Sequence, residues 1–183
     1  MESEKALIQG CQNGDRLAQR KLYDCYAGQM LAISKRYSKS DLEAEDILQE
    51  SFIKVFNKID TFRGDSSLFF WIKRIVINTA LNHQRSKLYA KPMTDVTVVP
   101  MHVDSEIVLA DFHFEELIAM IQELPDGCQL IFNLYAIEGY PHKEIAQMLK
   151  ISEGTSKSQY ARARSLLQEK LLKEKRVTYG NSR

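Results

Sequence analysis

The spacing of apolar residues predicts helices over almost the whole chain. Apolar positions recur at intervals of three and four residues, which is the period of a helix with one buried face. The predicted helices cover residues 3–12, 15–37, 41–57, 67–87, 114–124, 126–138, 143–149 and 155–175. Ser40 or Asp41 is a suitable N-cap for the third of them, and Gly64 lies in the turn before the fourth. We therefore expect an all-α fold.

The helical pattern stops between residues 91 and 110. Residues 91–105 include two prolines and show no helical period, although Thr97, Val98 and Val99 would suit a short strand. A lone strand has no partner, so this segment is predicted to be an extended linker. The chain of 183 residues is then expected to form two small helical domains, 1–90 and 111–176, followed by a tail over 177–183.

Composition narrows the class of protein. Even the longest uninterrupted apolar runs, such as Leu68 to Ile72, are far shorter than the roughly 20 residues of a membrane-spanning helix. The first ten residues are too acidic and polar for a secretory signal. The three cysteines contain no CxxC pair, which suits a reducing compartment, and each is expected to be buried or half-buried: Cys11, Cys25 and Cys128. We expect a cytoplasmic protein without a metal or cofactor.

Charge is distributed unevenly along the chain. Residues 1–90 carry a net charge of +3, residues 91–125 carry −6, and residues 126–183 carry +4. No acidic residue occurs between Ser66 and Thr94, a stretch that contains five lysines and arginines. Such clustering is what binding to a nucleic-acid backbone requires. It indicates two modules that face nucleic acid, joined by an acidic linker, although charges also segregate by chance in short windows.

Residues 142–164 have the spacing of a helix-turn-helix. A short helix with Ala146 at the point of close approach is followed by a tight turn and a helix with a polar first turn. Such a polar face is able to enter the major groove of DNA. The alternative is three ordinary helices of a bundle, which leaves the basic residues of the second helix unexplained. Two positions depart from the usual pattern: Lys150 stands where glycine is common, and Ser156 stands where an apolar residue is usual.

Two helices of the first half carry further candidate chemistry. Asp46, Gln49, Glu50 and Ile53 share one face of the helix 41–57, which suits protein docking or a merely solvated surface. Residues 62–87 combine aromatic, basic and amide side chains, the combination that binds unpaired bases. The alternative for the aromatic side chains is that they form the core. We expect most of them to be core, with the polar face and the preceding turn contacting DNA.

These segments resemble a known family. Residues 42–85, LEAEDILQESFIKVFNKIDTFRGDSSLFFWIKRIVINTALNHQR, strongly resemble region 2 of bacterial sigma factors of the extracytoplasmic-function (ECF) group of the sigma-70 family. Residues 123–171, ELPDGCQLIFNLYAIEGYPHKEIAQMLKISEGTSKSQYARARSLLQEKL, resemble region 4 of the same group. The order of the two regions and the length between them also fit. The resemblance implies a sigma subunit that binds core RNA polymerase, recognises the −35 and −10 promoter elements and melts the −10 region.

The resemblance also implies roles for individual residues. Residues matching the motif that docks on the β′ clamp helices are Asp46, Gln49, Glu50, Phe52 and Ile53. Residues implied at the −10 element, where Phe62 and Asn78 would hold a flipped base, are Phe62, Lys73, Arg74, Asn78, Asn82 and Arg85. Residues implied at the −35 element are Thr155, Ser156, Lys157, Ser158, Gln159, Arg162 and Arg164. The acidic linker would thread toward the RNA exit path.

The implied partners are core RNA polymerase, through its β′ clamp helices and β flap, promoter DNA and an anti-sigma factor. We expect a monomer when the protein is free, and no enzymatic activity. The main alternative is a stand-alone helix-turn-helix regulator, which would bind duplex DNA as a dimer. That alternative leaves residues 42–85 unexplained. An enzyme is disfavoured because the four histidines are scattered and no phosphate-binding loop or catalytic set is evident.

Overall fold

The computed structural model describes residues 4–90 and 114–180, and no strand occurs within those two ranges. The helices are α1 (Glu4–Gln12), α2 (Arg16–Tyr37), α3 (Asp41–Lys58), α4 (Leu68–Ala90), α5 (Phe114–Gln122), α6 (Asp126–Phe132), α7 (His142–Leu149) and α8 (Glu153–Gly180). A 3₁₀ turn (Ile59–Thr61) follows α3, and a π-helical segment (Asn133–Ile137) continues α6. The predicted all-α class is confirmed. The expected linker, 91–110, lies outside the described residues.

The chain divides into two compact units within α4, between His83 and Gln84. In the first unit, α1 packs on α2 and α2 packs on α3. A side chain at Gly10 of α1 would meet the Cβ atom of Ala18 at 2.6 Å, so the contact between α1 and α2 depends on this glycine. Fully buried side chains of this unit include Leu22, Met30, Tyr37, Ile47, Leu68 and Ile72. Their burial supplies the apolar core expected from the spacing.

The first residues of α2 and α3 are determined by side chains that accept hydrogen bonds from backbone amides. Asp15 accepts one from the Leu17 amide at 2.9 Å, and Ser40 accepts one from the Glu43 amide at 3.2 Å. Glu43 in turn accepts from the amide of Lys39 at 2.9 Å. These bonds satisfy amides that have no partner within the helix. Ser40, rather than Asp41, is therefore the N-cap of α3.

The second unit is built around α8. Leu124, Cys128 and Ala163 form a buried cluster, against which Phe132, Leu166 and Leu167 pack. Ile131, Leu134 and Ile145 are also fully buried. The sequence predicted one regular helix over 126–138, but its last part is the π segment. There the amide side chain of Asn133 donates to the Gln129 carbonyl at 2.9 Å.

Two smaller expectations are wrong. Cys25 is exposed on α2, whereas Cys11 and Cys128 are buried as expected. Cys25 is a small residue on a long, mostly polar helix, so its residue type alone did not determine whether it faces the core or the solvent. The tail was also placed too early, since α8 extends through Gly180. No helix within the described ranges is long and apolar enough to span a bilayer.

The turn between α7 and α8 contains Lys150 in the left-handed region, with φ 56° and ψ 46°. A side chain in this region costs roughly 1–2 kcal/mol, which glycine avoids. We expect Lys150→Gly to stabilise the protein by about 1 kcal/mol, once the extra chain entropy of glycine is included. Calorimetric unfolding of the full chain measures the change. Lys143→Gly, at an exposed helical position of α7, should instead destabilise by about 1 kcal/mol; equal losses in both variants would contradict the expectation.

Candidate nucleic-acid interface

An exposed row of side chains runs along α3 and includes two large apolar residues. Leu42 is 71% exposed and Ile53 is 61% exposed. Asp46 and Gln49, also exposed, lie between them at helical spacings of three and four. We call these four residues the α3 face. Highly exposed apolar side chains next to polar ones are typical of a surface that binds another protein.

Glu50 is adjacent to this face but is tied to α4. Its carboxylate oxygens lie 2.6 Å from Lys54 Nζ and 2.5 Å from His83 Nε2. Lys54 also donates to Thr79 Oγ1 at 3.2 Å. The hydrogen bonds with Lys54 and then with His83 lower the pKa of Glu50, so the carboxylate is charged at neutral pH. Glu50 therefore positions α3 against α4, which the sequence did not predict.

Phe52, which matches the docking motif, lies on the apolar side of α3. Only 2% of it is exposed, and its ring meets that of Tyr23 edge-on at a centroid distance of 4.7 Å. The half-buried Phe56 ring lies 5.9 Å away on the other side. Phe52 thus belongs to the core beneath the α3 face. Leu42, which was not among the expected docking residues, is the exposed apolar residue at the opposite end of the α3 face from Ile53.

A second exposed row lies on α4. Phe70, Arg74, Asn78 and Asn82 follow one another at intervals of four residues, and all four are exposed. We call this row the α4 stripe. No described residue forms a hydrogen bond or ion pair with the side chain of Arg74 or Asn78. The structure thus brings together three of the predicted −10 residues and adds Phe70, which the sequence analysis did not single out.

The remaining predicted −10 residues are less exposed than the α4 stripe. Phe62 is half-buried in the turn before α4, and its ring contacts Trp71 edge-on at 5.5 Å. Lys73 and Arg85 are also half-buried on α4. Phe62 is therefore held in place by the core, with part of its ring accessible. Such a side chain is suited to a stacking contact because little of its freedom is lost on binding.

The second unit contains a complete helix-turn-helix. The turn after α7 is closed by the Ile151 amide, which donates to the Ala146 carbonyl at 3.1 Å. Ser152 caps α8 by accepting from the Thr155 amide at 2.9 Å. Ala163 and Leu171 on α8 are buried, as the apolar spacing predicted. The amino-terminal part of α8 is thereby held at a defined angle to α7.

Three of the seven residues implied at the −35 element do not lie on the surface of α8. Thr155, Ser156 and Gln159 are buried. Ser156 is hydrogen-bonded to Nδ1 of His142 at 2.9 Å, and Gln159 accepts from the thiol of Cys128 at 3.1 Å. These side chains are satisfied within the unit, so they hold α8 in place. The unusual serine at position 156 is explained by this partner.

The outward side of α8 is basic. Lys157, Arg162 and Arg164 are exposed, and Ser158 is half-buried. Lys157 also forms an ion pair with Glu153 at 2.7 Å, one turn earlier. The hydrogen bond from Lys157, and then the charge of Lys157, lower the pKa of Glu153. Four of the seven predicted −35 residues therefore remain accessible to a DNA backbone or groove.

Comparisons with known proteins match both units to one family. Residues 22–88 match the model of sigma-70 region 2, and residues 114–167 match that of sigma-70 region 4. The chain is 30% identical over 182 residues to RNA polymerase sigma-H factor of Pseudomonas aeruginosa, covering 93% of this chain and 94% of that protein. The chain belongs to the sigma-70 family, in its ECF group. The predicted family is confirmed.

A further relative and a solved structure are also similar to this chain. ECF RNA polymerase sigma-E factor of Haemophilus influenzae is 30% identical over 182 residues, covering 92% of this sigma factor and 95% of that one. The sigma factor RpoE of Bartonella quintana, solved in complex with the anti-sigma factor NepR, has a TM-score of 0.50 at 22% identity. That match covers 84% of this chain and 96% of that chain, and it supports the fold.

An aromatic cluster in region 4 of the sigma factor surrounds His142. The imidazole stacks on Tyr135 with a centroid distance of 4.1 Å and an interplanar angle of 10°. Tyr160 contacts both rings, at 4.6 Å from Tyr135 and 5.8 Å from His142. Tyr135 belongs to the π segment, so that irregular turn supplies one wall of the cluster. The sequence carries no signal for this cluster, because its members lie on three elements.

The environment of His142 predicts that region 4 is less stable in acid. Burial and then the charge of Lys157 lower the pKa of His142, with Glu153 opposing them. The unfolded chain therefore binds this proton more readily, and the stability of region 4 falls as pH drops below the unfolded value of about 6.5. We expect His142→Gln to reduce the loss of thermal stability between about pH 7.5 and pH 5.5. Melting curves of both full-length proteins test this, and parallel losses would refute it.

Proposed function

We propose that this chain is the sigma subunit of a bacterial RNA polymerase holoenzyme. It binds core polymerase, recognises the −35 and −10 elements and melts the −10 region to start transcription. The observation that carries this function is the presence on one chain of both regions, each with an exposed surface of the appropriate chemistry. A stand-alone helix-turn-helix regulator needs only region 4 and would leave the α3 face and α4 stripe without a role.

Docking on polymerase is assigned to the α3 face and to region 4. The α3 face would contact the β′ clamp helices, with Leu42 and Ile53 as apolar anchors and Asp46 and Gln49 as polar contacts between them. Apolar anchors surrounded by polar groups are typical of interfaces in which a few residues supply most of the binding free energy. Region 4 would contact the β flap. The sigma factor itself would contribute no catalytic residues.

Opening of the −10 region is assigned to the α4 stripe and Phe62. Phe62 would stack on a flipped base, while the Asn78 amide, with both its donor and its acceptor available, would hydrogen-bond to the edge of that base. Lys73, Arg74 and Arg85 would hold the backbone nearby. Extruding a base costs a few kcal/mol, which these contacts offset. Because polymerase contacts supply most of the affinity, isolated sigma factor is expected to bind promoters weakly.

Recognition of the −35 element is assigned to the outward side of α8. Lys157, Ser158, Arg162 and Arg164 remain accessible there, whereas Thr155, Ser156 and Gln159 would support the helix from behind. Arginine pairs well with guanine edges and with phosphates, so this set suits both base and backbone contacts. Control by an anti-sigma factor is also proposed, because the Bartonella quintana sigma factor RpoE was solved with one. Both partners would meet the protein in the cytoplasm.

The deciding experiment is co-purification of the tagged full-length protein with bacterial core polymerase, followed by transcription in vitro. We expect a stoichiometric complex that starts transcripts at new sites, whose upstream sequences give the −35 and −10 elements. A protein that ignores core polymerase but binds duplex DNA tightly as a dimer would instead be the stand-alone regulator. Core polymerase without the protein, on the same templates, is the control.

A further inference from the structure

His142 of region 4 is held between α8 and the π segment. Its Nδ1 atom lies 2.9 Å from Oγ of Ser156 on α8, and its ring stacks on Tyr135 at 4.1 Å. Tyr160 lies on a third side, at 5.8 Å. The imidazole is half-buried, so solvent still reaches part of it. Its position beside the first turns of α8 is therefore fixed, while its charge still depends on pH.

The hydrogen bond between His142 and Ser156 is compatible with both protonation states of the ring. In the neutral ring, Nδ1 is able to accept the hydroxyl hydrogen of Ser156, whereas in the charged ring Nδ1–H donates to the same oxygen. The charged ring also keeps a favourable contact with the face of Tyr135, because an aromatic face attracts a cation. Uptake of a proton thus adds a positive charge without breaking a contact between α7 and α8.

Two charged residues of α8 act on His142. Lys157 follows Ser156 and is exposed on the outward side of α8, where it forms an ion pair with Glu153 at 2.7 Å. Burial and then the charge of Lys157 lower the pKa of His142, while Glu153 raises it. The titratable and charged groups that surround or adjoin the imidazole, on α8, the π segment and α7, are Glu153, Lys157, Tyr160, Tyr135 and Lys143.

We propose that His142 makes duplex DNA binding by region 4 depend on pH, because a proton is taken up at His142 as the DNA binds. Lys157 is among the residues assigned to the −35 element, so a DNA phosphate would neutralise its charge. That phosphate, and Glu153 once Lys157 has turned to the DNA, would both favour the charged imidazole. Because such coupling is reciprocal, DNA affinity rises as pH falls. This inference rests on the proposed function only in requiring that region 4 bind duplex DNA.

Acid would therefore act on region 4 in two opposite directions. Free region 4 becomes less stable, because burial and Lys157 disfavour the charged ring, whereas its complex with DNA becomes tighter. The gain in affinity is complete below the pKa of His142 in the free protein and is lost above its pKa in the complex. A residue that only supported the fold would weaken both properties in acid.

The direct test is an NMR titration of the full-length protein, free and saturated with a duplex. The duplex carries the −35 element of a promoter mapped by the transcription experiment, or, if the protein ignores core polymerase, a sequence selected by its own binding. Histidine ring Cε1–H signals report protonation, and His142→Gln identifies the signal of His142 among the four histidines. We expect the pKa of His142 to rise on DNA binding. Because the cause is electrostatic, this rise should be smaller at about 0.3 M than at about 0.05 M salt.

The affinity of holoenzyme for the same duplex is the second measurement. Between about pH 7.5 and pH 5.5, the affinity of wild type should rise about threefold or more relative to that of His142→Gln. Other titrating groups are the same in both proteins, so their effects cancel. His142→Lys keeps its charge throughout this range. It should therefore follow the pH dependence of His142→Gln, but with a higher affinity.

Three outcomes would overturn the inference. A pKa of His142 that is unchanged or lowered by DNA would show that binding takes up no proton there. Equal pH dependence of wild type and His142→Gln would show the same from affinity. Weaker duplex binding by wild type in acid, with His142→Gln unaffected, would show that the residue only supports the fold. Each result leaves the proposed function intact if the protein still transcribes with core polymerase, whereas a protein that binds neither polymerase nor duplex DNA loses both.

Discussion

Ile53→Asp is expected to lower the affinity for core RNA polymerase by at least thirtyfold. Ile53 is 61% exposed at the carboxyl end of the α3 face, so its apolar surface is available for a partner to cover. An apolar anchor that a partner covers completely is typically worth about 2 kcal/mol or more when removed. A buried, unpaired carboxylate in its place adds a desolvation cost. Titration of labelled protein with core polymerase measures the change.

Leu17→Asp is the matched control for this prediction. Leu17 is even more exposed, at 73%, but it lies on α2 outside the α3 face. The same substitution there should leave polymerase affinity unchanged. Both variants should keep the thermal stability of wild type to within about 1 kcal/mol, because each change is on the surface. If Ile53→Asp binds core polymerase as tightly as Leu17→Asp, the α3 face is not the docking surface.

Glu50 is a less informative position for that test, although it matches the docking motif. It bridges Lys54 on its own helix and His83 on α4. A charge reversal at Glu50 would place a cation beside Lys54, so a loss of polymerase binding would have two explanations. The structure therefore shifts the decisive test from Glu50 to Ile53, whose side chain extends into solvent.

The helices were predictable from sequence because each buries one face at a regular period. Val55 and Ile59, for example, continue the apolar side of α3 and are buried. Phe52 belongs to the same apolar side and is also buried, with its ring against Tyr23 of α2. The period does not give the position of that neighbouring helix, so the contact between Phe52 and Tyr23 was not predictable.

Polar residues that are buried were the main source of error in the second unit. Ser156 and Gln159 look like groove-reading side chains, since polar residues in general are exposed. Each is instead satisfied by a distant partner, His142 for Ser156 and Cys128 for Gln159. Those partners lie on other helices, at sequence separations that no local pattern encodes. Charged residues were predicted better, because the cost of burying a charge keeps Arg162 and Arg164 outside.

Asn78→Ala is expected to reduce transcription from −10-dependent promoters about a hundredfold while leaving polymerase binding intact. Asn78 is exposed on the α4 stripe, and no described residue satisfies its amide. A bidentate amide-to-base contact is worth up to about 3 kcal/mol. Without this contact, the free-energy cost of flipping the base, which is a few kcal/mol, is no longer offset. Open-complex formation, followed by permanganate reactivity of unpaired thymines, measures the effect.

The loss at Asn78 is separable from a folding defect and from weaker docking. Alanine is a better helix former than asparagine, so the variant should be at least as stable as wild type. Gln29→Ala removes an exposed amide from α2 and should leave transcription unchanged. On a template whose −10 region is already unpaired, Asn78→Ala should recover most of its activity, because the cost of base flipping has been removed. Normal transcription by Asn78→Ala on duplex promoters would instead show that the flipped base is held elsewhere.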